Sequence, residues 1–226
     1  MSIAQRLAEV NDRIAAACDR ARRDPSQVTL IAVAKTFSAE HVREALDAGV
    51  RTIGENRAQE LKEKAAILGP DVEWHFVGHL QTNKVRQVVG VAGLIHSLDR
   101  FGLAEAIARR ARSLGITQDV LIEVNVGEEA AKGGIEAGRA PALAAEVAAL
   151  EGLRVAGVMA IPPLAADVEE TRAHFRALVA AGAAVAAAIP GATALSMGMS
   201  RDYEVAIEEG ATHVRIGEAI FGPRNR

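Results

Sequence analysis

Lys35 ends the apolar run VTLIAVA (residues 28–34) and is followed at once by Thr36 and a polar stretch. A lysine at the carboxyl end of a buried strand is costly unless it has work to do there. Desolvation lowers an ammonium pKa, and the neutral amine is a nucleophile that condenses with aldehydes. Near the other end of the chain lie SMGMS (residues 196–200) and HVRIGEAIFG (residues 213–222). Small residues and glycines there expose backbone N–H groups as a phosphate site requires. Ser196, Gly198, Ser200, Gly217 and Glu218 make the expected cradle, Glu218 through its backbone N–H alone. One lysine for an aldehyde and one cradle for an anion point to a single cofactor, pyridoxal phosphate.

Arg215 lies in the last apolar run between Val214 and Ile216. Buried there it needs an acceptor, either a structural carboxylate or the pyridine nitrogen of the cofactor. An arginine at that nitrogen leaves it unprotonated and weakens the ring as an electron sink, which disfavours carbanion chemistry. His75 and His79 in EWHFVGH are four apart, a metal spacing on a helix. On a strand the same spacing separates them by roughly 13 Å, too far for one ion. With one cysteine and no HExxH, no metal site is expected, and no P-loop lysine supports nucleotide hydrolysis.

These residues must be held by a scaffold, and the pattern names one. Short apolar strands are expected at residues 28–34, 51–54, 73–77, 94–97, 119–125, 153–160, 193–197 and 213–216. An N-terminal helix (3–23) precedes them, and helices at 39–48, 57–68, 83–89, 101–114, 140–150, 168–188 and 202–209 lie between them. Gly49, Gly69, Gly115, Gly152 and Gly210 fall just after helices, where a left-handed cap is wanted. Eight strands alternating with helices predict a single-domain (β/α)8 TIM barrel spanning residues 1–226, with an extra N-terminal helix. A doubly wound open sheet would show a Gly-rich fingerprint after its first strand, where this chain has Lys35-Thr36-Phe37. Barrel chemistry gathers where strands end. Those ends read Lys35, GEN, GHLQTNK, HSLDR, VNVGEEAAKGG, MAIPP, SMGMS and RIGEA, polar or glycine-rich in most cases.

Composition narrows the class. Of 226 residues, 50% are hydrophobic but only 3% aromatic, so the core must rest on Ala, Val, Leu and Ile. A formal net charge of -3 with no charge run gives no sign of a nucleic-acid partner. Cys18 alone forms no intrachain disulfide and suits a reducing compartment. The N-terminus is too charged for a signal peptide. Residues 177–200 carry no charge, yet alanine dominates them and Gly182, Pro190 and Gly191 interrupt them, which favours a buried helix, turn and strand over a membrane span. The expectation is a cytoplasmic protein without membrane association.

Lysines that form Schiff bases on barrels of the class I aldolase type sit on a later strand, commonly the sixth. Here the sixth strand, LRVAGVMA, has none, and the first-strand position resembles the alanine-racemase type of barrel. The motifs LIAVAKTF, GENRAQEL, EWHFVGHLQTNK, IHSLDR, EVNVGEEAAKGG, GVMAIPP, LSMGMSRDYEVAI and VRIGEAIFGPR, in this order, resemble the YggS/PROSC family of pyridoxal phosphate homeostasis proteins from about residue 7 to 224. The resemblance implies Lys35 as the Schiff-base lysine, with Ser196, Ser200, Gly217 and the backbone of Glu218 at the phosphate. It also implies Arg215 at the pyridine nitrogen, with Asn56 and Met159 near the cofactor. It implies a protein that carries and buffers pyridoxal phosphate, affects amino-acid and keto-acid balance, passes the cofactor to apoenzymes and has no robust catalytic reaction. Arg57 stands where a tyrosine is often found after GEN, Glu218 where Thr or Ser is common, and Gly133-Gly134 alters a usual KSG or KGG turn.

Two other functions compete. An amino-acid racemase of the related barrel type needs a second acid–base group across the cofactor, which that class takes from a tyrosine of an added β-domain. This chain ends soon after its eighth strand and has one tyrosine, Tyr203, at an expected helix start. The missing swapped domain also predicts a monomer. A phosphate-binding barrel isomerase, with Lys35 acting electrostatically, is the third reading.

Overall fold

The computed structural model describes residues 1–127, 133–163 and 167–223. The middle of the VNVGEEAAKGG motif and the last three residues of the chain lie outside them. Nine strands follow in chain order: β1 (Thr29–Val33), β2 (Thr52–Glu55), β3 (Glu73–Phe76), β4 (Leu94–Leu98), β5 (Gln118–Asn125), β6 (Ile135–Glu136), β7 (Leu153–Met159), β8 (Ala194–Ser196) and β9 (His213–Ile216). All pairings among them are parallel. β1 pairs with both β2 and β9, and β4 pairs with β5, so eight strands close into a ring while β6 hangs on β5 alone. The expected eight-stranded barrel is observed, and β6 is an addition that two residues of pattern cannot announce.

The helices are α1 (Ile3–Ala21), α2 (Ala39–Asp47), α3 (Ala58–Leu68), α4 (Val85–Val88), α5 (Phe101–Ser113), α6 (Ala140–Ala148), α7 (Val168–Ala188), α8 (Tyr203–Glu208) and α9 (Glu218–Phe221). The helix expected over 83–89 is a 3-10 turn (Thr82–Lys84) running into the single turn of α4. The uncharged stretch 177–200 divides, as expected, into the end of α7, a turn at Pro190 and Gly191, and β8. No helix among the described residues is long and apolar enough to cross a membrane.

α1 starts at a capping box between Ser2 and Gln5 and ends at Arg22, whose φ of 54° turns the chain left-handed. It buries Ile3, Leu7, Val10 and Ile14, one face at helical spacing. Its polar face and the turn that follows it reach the last two helices. Arg20 Nε donates to Glu208 Oε1 (2.7 Å), Arg23 Nη1 to Ile207 O (2.7 Å) and Arg6 Nη1 to Phe221 O (3.3 Å). The extra helix is therefore a strap across α8 and α9, the elements that follow the two glycine-rich strand ends.

Strand alternation sorts the rest. Ala32, Val120, Ile122 and Val214 join the large apolar layer under the helices, while Leu94, Leu121 and Met159 form a small separate cluster inside the barrel. That inner cluster is thin because much of the interior is polar: His75, His96, Ser196 and Arg215 are all buried.

Candidate functional site

The carboxyl ends of the strands open on a cleft of about 470 Å3. Lys35, Asn56, Ser200, Arg215, Gly217 and Glu218 line it. They come from the ends of β1, β2, β8 and β9, and neighbours in the ring supply neighbours in the cleft. Gly78 lets Asn56 stand there, since a Cβ at Gly78 would lie 2.1 Å from Asn56 O. Gly198 has φ 89°, and a Cβ there would lie 2.9 Å from Tyr203 Cα, so the SMGMS turn folds only with glycine at its centre.

Two expected site residues are elsewhere. Met159 is buried in the interior cluster with Leu94 and Leu121, below the cleft. The Ser196 side chain is also inside the barrel, where its Oγ accepts from Arg215 Nη1 (2.6 Å) and meets His96 Nδ1 at 2.9 Å. Its hydroxyl is thus engaged with the barrel interior, and the side chain does not line the cleft. Both placements have one cause: the side-chain period of two on β7 and β8 turns these residues into the barrel, one layer below the rim. The helix expected over 202–209 is α8, which begins at Tyr203 after a turn closed by Asp202 N–H to Met199 O (3.1 Å).

Lys35 rides on a tight turn in which Phe37 N–H donates to Ala34 O (3.1 Å). The third residue of that turn, Thr36, has φ 71°. A β-branched residue rarely adopts this conformation, and such strain persists where surroundings enforce it. Glu60 Oε2 accepts from Thr36 N–H (3.1 Å). Lys64 Nζ lies beneath and donates to Ala34 O (2.9 Å), Glu55 Oε1 (2.5 Å) and Glu60 Oε2 (3.3 Å). Glu55 is fully buried; burial pushes its carboxyl up while Lys64 pulls it back. This clamp of Glu55, Glu60 and Lys64 escaped the sequence reading, although Glu60 and Lys64 stand four apart on α3 and Glu55 belongs to GEN.

Arg215 is 5% exposed and has no carboxylate within ion-pairing distance among the described residues; its acceptors are Ser196 Oγ and Ala160 O (2.9 Å). Burial lowers its pKa to about 10, so it stays cationic at neutral pH. A buried guanidinium on a cleft wall without a carboxylate is poised for an acceptor brought by a ligand. Glu123, unforeseen from sequence, faces the same cleft from β5. Burial, with Asp99 adding to it, raises its carboxyl to about 7. Asn56 Oδ1 and Ser97 Oγ on the cleft wall are buried without a partner among the described residues. An amine, a guanidinium, an exposed glycine turn and two unpaired polar atoms fit a small aromatic ligand bearing an aldehyde, a phosphate and further hydrogen-bonding groups. His75 points into the barrel and His79 stands on the cleft rim; no group able to hold a metal occurs among the described residues.

Residues 6–225 match the family model described as alanine racemase, N-terminal domain. The pyridoxal phosphate homeostasis protein of Aquifex aeolicus (strain VF5) is 46% identical over 229 residues, covering 99% of each chain. That of Escherichia coli (strain K12) is 40% identical, covering 99% of this chain and 97% of its own. The chain belongs to the pyridoxal phosphate homeostasis protein family. A solved relative has the same architecture. PipY of Synechococcus elongatus PCC7942, 37% identical, superposes with TM-scores of 0.86 without and 0.84 with pyridoxal phosphate bound, over 98% of this chain and all of PipY. An alanine racemase of Clostridium difficile 630 matches at a TM-score of 0.73 and 15% identity, covering 95% of this chain and 58% of the racemase; that likeness is one of fold.

Proposed function

We propose that this protein binds pyridoxal phosphate in the cleft, with Lys35 as its covalent anchor, and that it buffers the cofactor and delivers it to apoenzymes. The observation that carries this reading is the convergence of Lys35 and Arg215, from adjacent strands β1 and β9, on one cleft with Ser200, Gly217 and Glu218. The cofactor supplies an aldehyde that condenses with a lysine amine, releasing water. The chain's residues do the rest. Ser200 and the N–H groups at Gly217 and Glu218 take the phosphate, with the Glu218 carboxylate turned to solvent. Arg215 offers its remaining N–H groups to the ring nitrogen, and Asn56 and Ser97 stand by the ring substituents. The clamp beneath Thr36 holds the Lys35 turn in one place.

The whole chain acts in this reading as one cofactor-binding domain, monomeric and cytoplasmic, with a role in amino-acid and keto-acid balance and no robust turnover of its own. Tyr203 supports the absence of racemase chemistry. It is buried under Arg13, 5.2 Å from its ring centroid, on the α1 side of α8, and does not line the cleft. Borohydride reduction of the protein loaded with pyridoxal phosphate, followed by peptide mapping, is expected to fix a pyridoxyl group on Lys35. A protein that takes up no cofactor refutes the reading. Sustained racemisation of L- or D-alanine refutes the carrier role.

A further inference from the structure

A run of hydrogen bonds crosses the barrel interior from its amino-terminal mouth to the cleft. Glu73 opens β3 with its side chain 61% exposed, and its Oε1 lies 3.3 Å from His75 Nε2. His75 Nδ1 lies 3.1 Å from His96 Nε2, His96 Nδ1 lies 2.9 Å from Ser196 Oγ, and Ser196 Oγ lies 2.6 Å from Arg215 Nη1. The two ends fix the protons beside them. A guanidinium only donates, so Ser196 Oγ accepts from Arg215 and has its own O–H left to give. At the other end Glu73 is held below the usual carboxylate range, chiefly by the bond from His75, and an ionised carboxylate only accepts. His75 Nε2 therefore carries a proton. Burial holds His96 neutral, so it has a single N–H to place.

We propose that Arg215, Ser196, His96, His75 and Glu73 form a one-directional hydrogen-bond relay, each group donating to the next, that positions Arg215 in the cleft from the far end of the barrel. Both imidazoles then carry their proton on Nε2 and leave Nδ1 bare. Four further groups face this line. His213 of β9 has its ring 6.0 Å from His75 and 6.1 Å from His96, Thr52 of β2 donates to Glu73 Oε2 (3.4 Å), and Glu123 and Asp202 act on Arg215 through their charge. None of them interrupts the relay. A second proton on His75 would force His96 to accept at Nε2 and donate from Nδ1. Ser196 would then receive two donors, its own hydroxyl would lose its acceptor, and the hold on Arg215 would weaken. Glu73, His75, His96 and Ser196 are thus positioning residues for Arg215, and the functional consequence rests on the cofactor reading above.

Long-range 1H–15N spectra of histidine-labelled, cofactor-free protein test the relay without any cofactor, with signals assigned by removing one imidazole at a time. His75 and His96 are expected in the Nε2–H form at neutral pH; an Nδ1–H form or an imidazolium at His96 overturns the relay. In parallel, Glu73→Leu is expected to mix the His96 tautomers and to weaken pyridoxal phosphate binding about three- to tenfold, as loss of one hydrogen-bond acceptor predicts. Glu73→Gln, which keeps an acceptor oxygen, is expected to restore both readouts. A Glu73→Leu variant that leaves tautomers and affinity at wild-type values refutes the proposal. Failure of the cofactor reading is distinguishable, because wild-type protein would then show the expected tautomers and bind no pyridoxal phosphate.

Discussion

Arg215 Nη1 and Ser196 Oγ are 2.6 Å apart inside the barrel, one layer below the cleft. The contact separates two serines that look equivalent in SMGMS: Ser196 holds an arginine, and Ser200 lines the cleft itself. Ser196→Ala is therefore expected to weaken binding of pyridoxal phosphate and of phosphate-free pyridoxal by a similar factor, roughly three- to tenfold. Ser200→Ala is expected to weaken only the phosphorylated ligand. Equilibrium titrations of both variants with both ligands check this. A Ser196→Ala loss confined to pyridoxal phosphate would return that hydroxyl to the phosphate.

The Lys64 clamp predicts a stability effect. Lys64→Met leaves Glu55 buried without its cation, and breaking a buried pair from one side costs about 3 kcal/mol or more. Urea unfolding is expected to show that loss, and Lys64→Met combined with Glu55→Leu is expected to recover part of it. Thr36→Gly is expected to go the other way, since glycine relieves roughly 1 kcal/mol of strain at φ 71°. The same change loosens the Lys35 turn, so slower cofactor loading should accompany the higher stability.

Much of the scaffold behind these predictions was legible in the chain. β9 runs over His213–Ile216 as expected, and α7 over Val168–Ala188, because long or strongly alternating segments announce themselves. Lys35, Ser200, Gly217 and Glu218 could be placed at the cleft for a simpler reason, since barrel rims are where strands end, while Asn56 came through the family resemblance. Depth was harder to read. Ser196 and Met159 needed the inward or outward parity of short strands, which shifts with one residue of boundary error. His75, His96 and Ser196 meet across three strands, so no local spacing joins them. Glu123 opens the motif EVNVGEEAAKGG, but nothing local marks it as a cleft carboxylate, and its place near Arg215 only acquires meaning once the ring is closed.

Two buried groups set opposing pH trends. His213 is held by burial at about 4 against an ordinary 6.5, so the unfolded chain binds more protons between these values and stability falls as pH drops through that window. Glu123 is raised to about 7 from 4.5, so the folded protein binds the extra proton and stability falls as pH rises through that window. Each amounts to roughly 2 kcal/mol between pH 5 and 7, with opposite sign. Glu123→Gln removes the second trend. The cofactor-free variant should therefore lose about 2 kcal/mol more than wild type on going from pH 7 to 5, measured by urea unfolding at each pH. Parallel profiles for the two proteins would count against a protonated Glu123.

The pairing of β1 with β9 has a consequence for folding. Ile31 stands in register with Arg215, so Lys35 and Arg215 share the cleft only once two strands far apart in the chain have paired. That pairing closes the ring and completes the cleft wall. A chain whose ring is still open therefore presents Lys35 apart from Arg215, and the cleft between them forms only as the ring shuts.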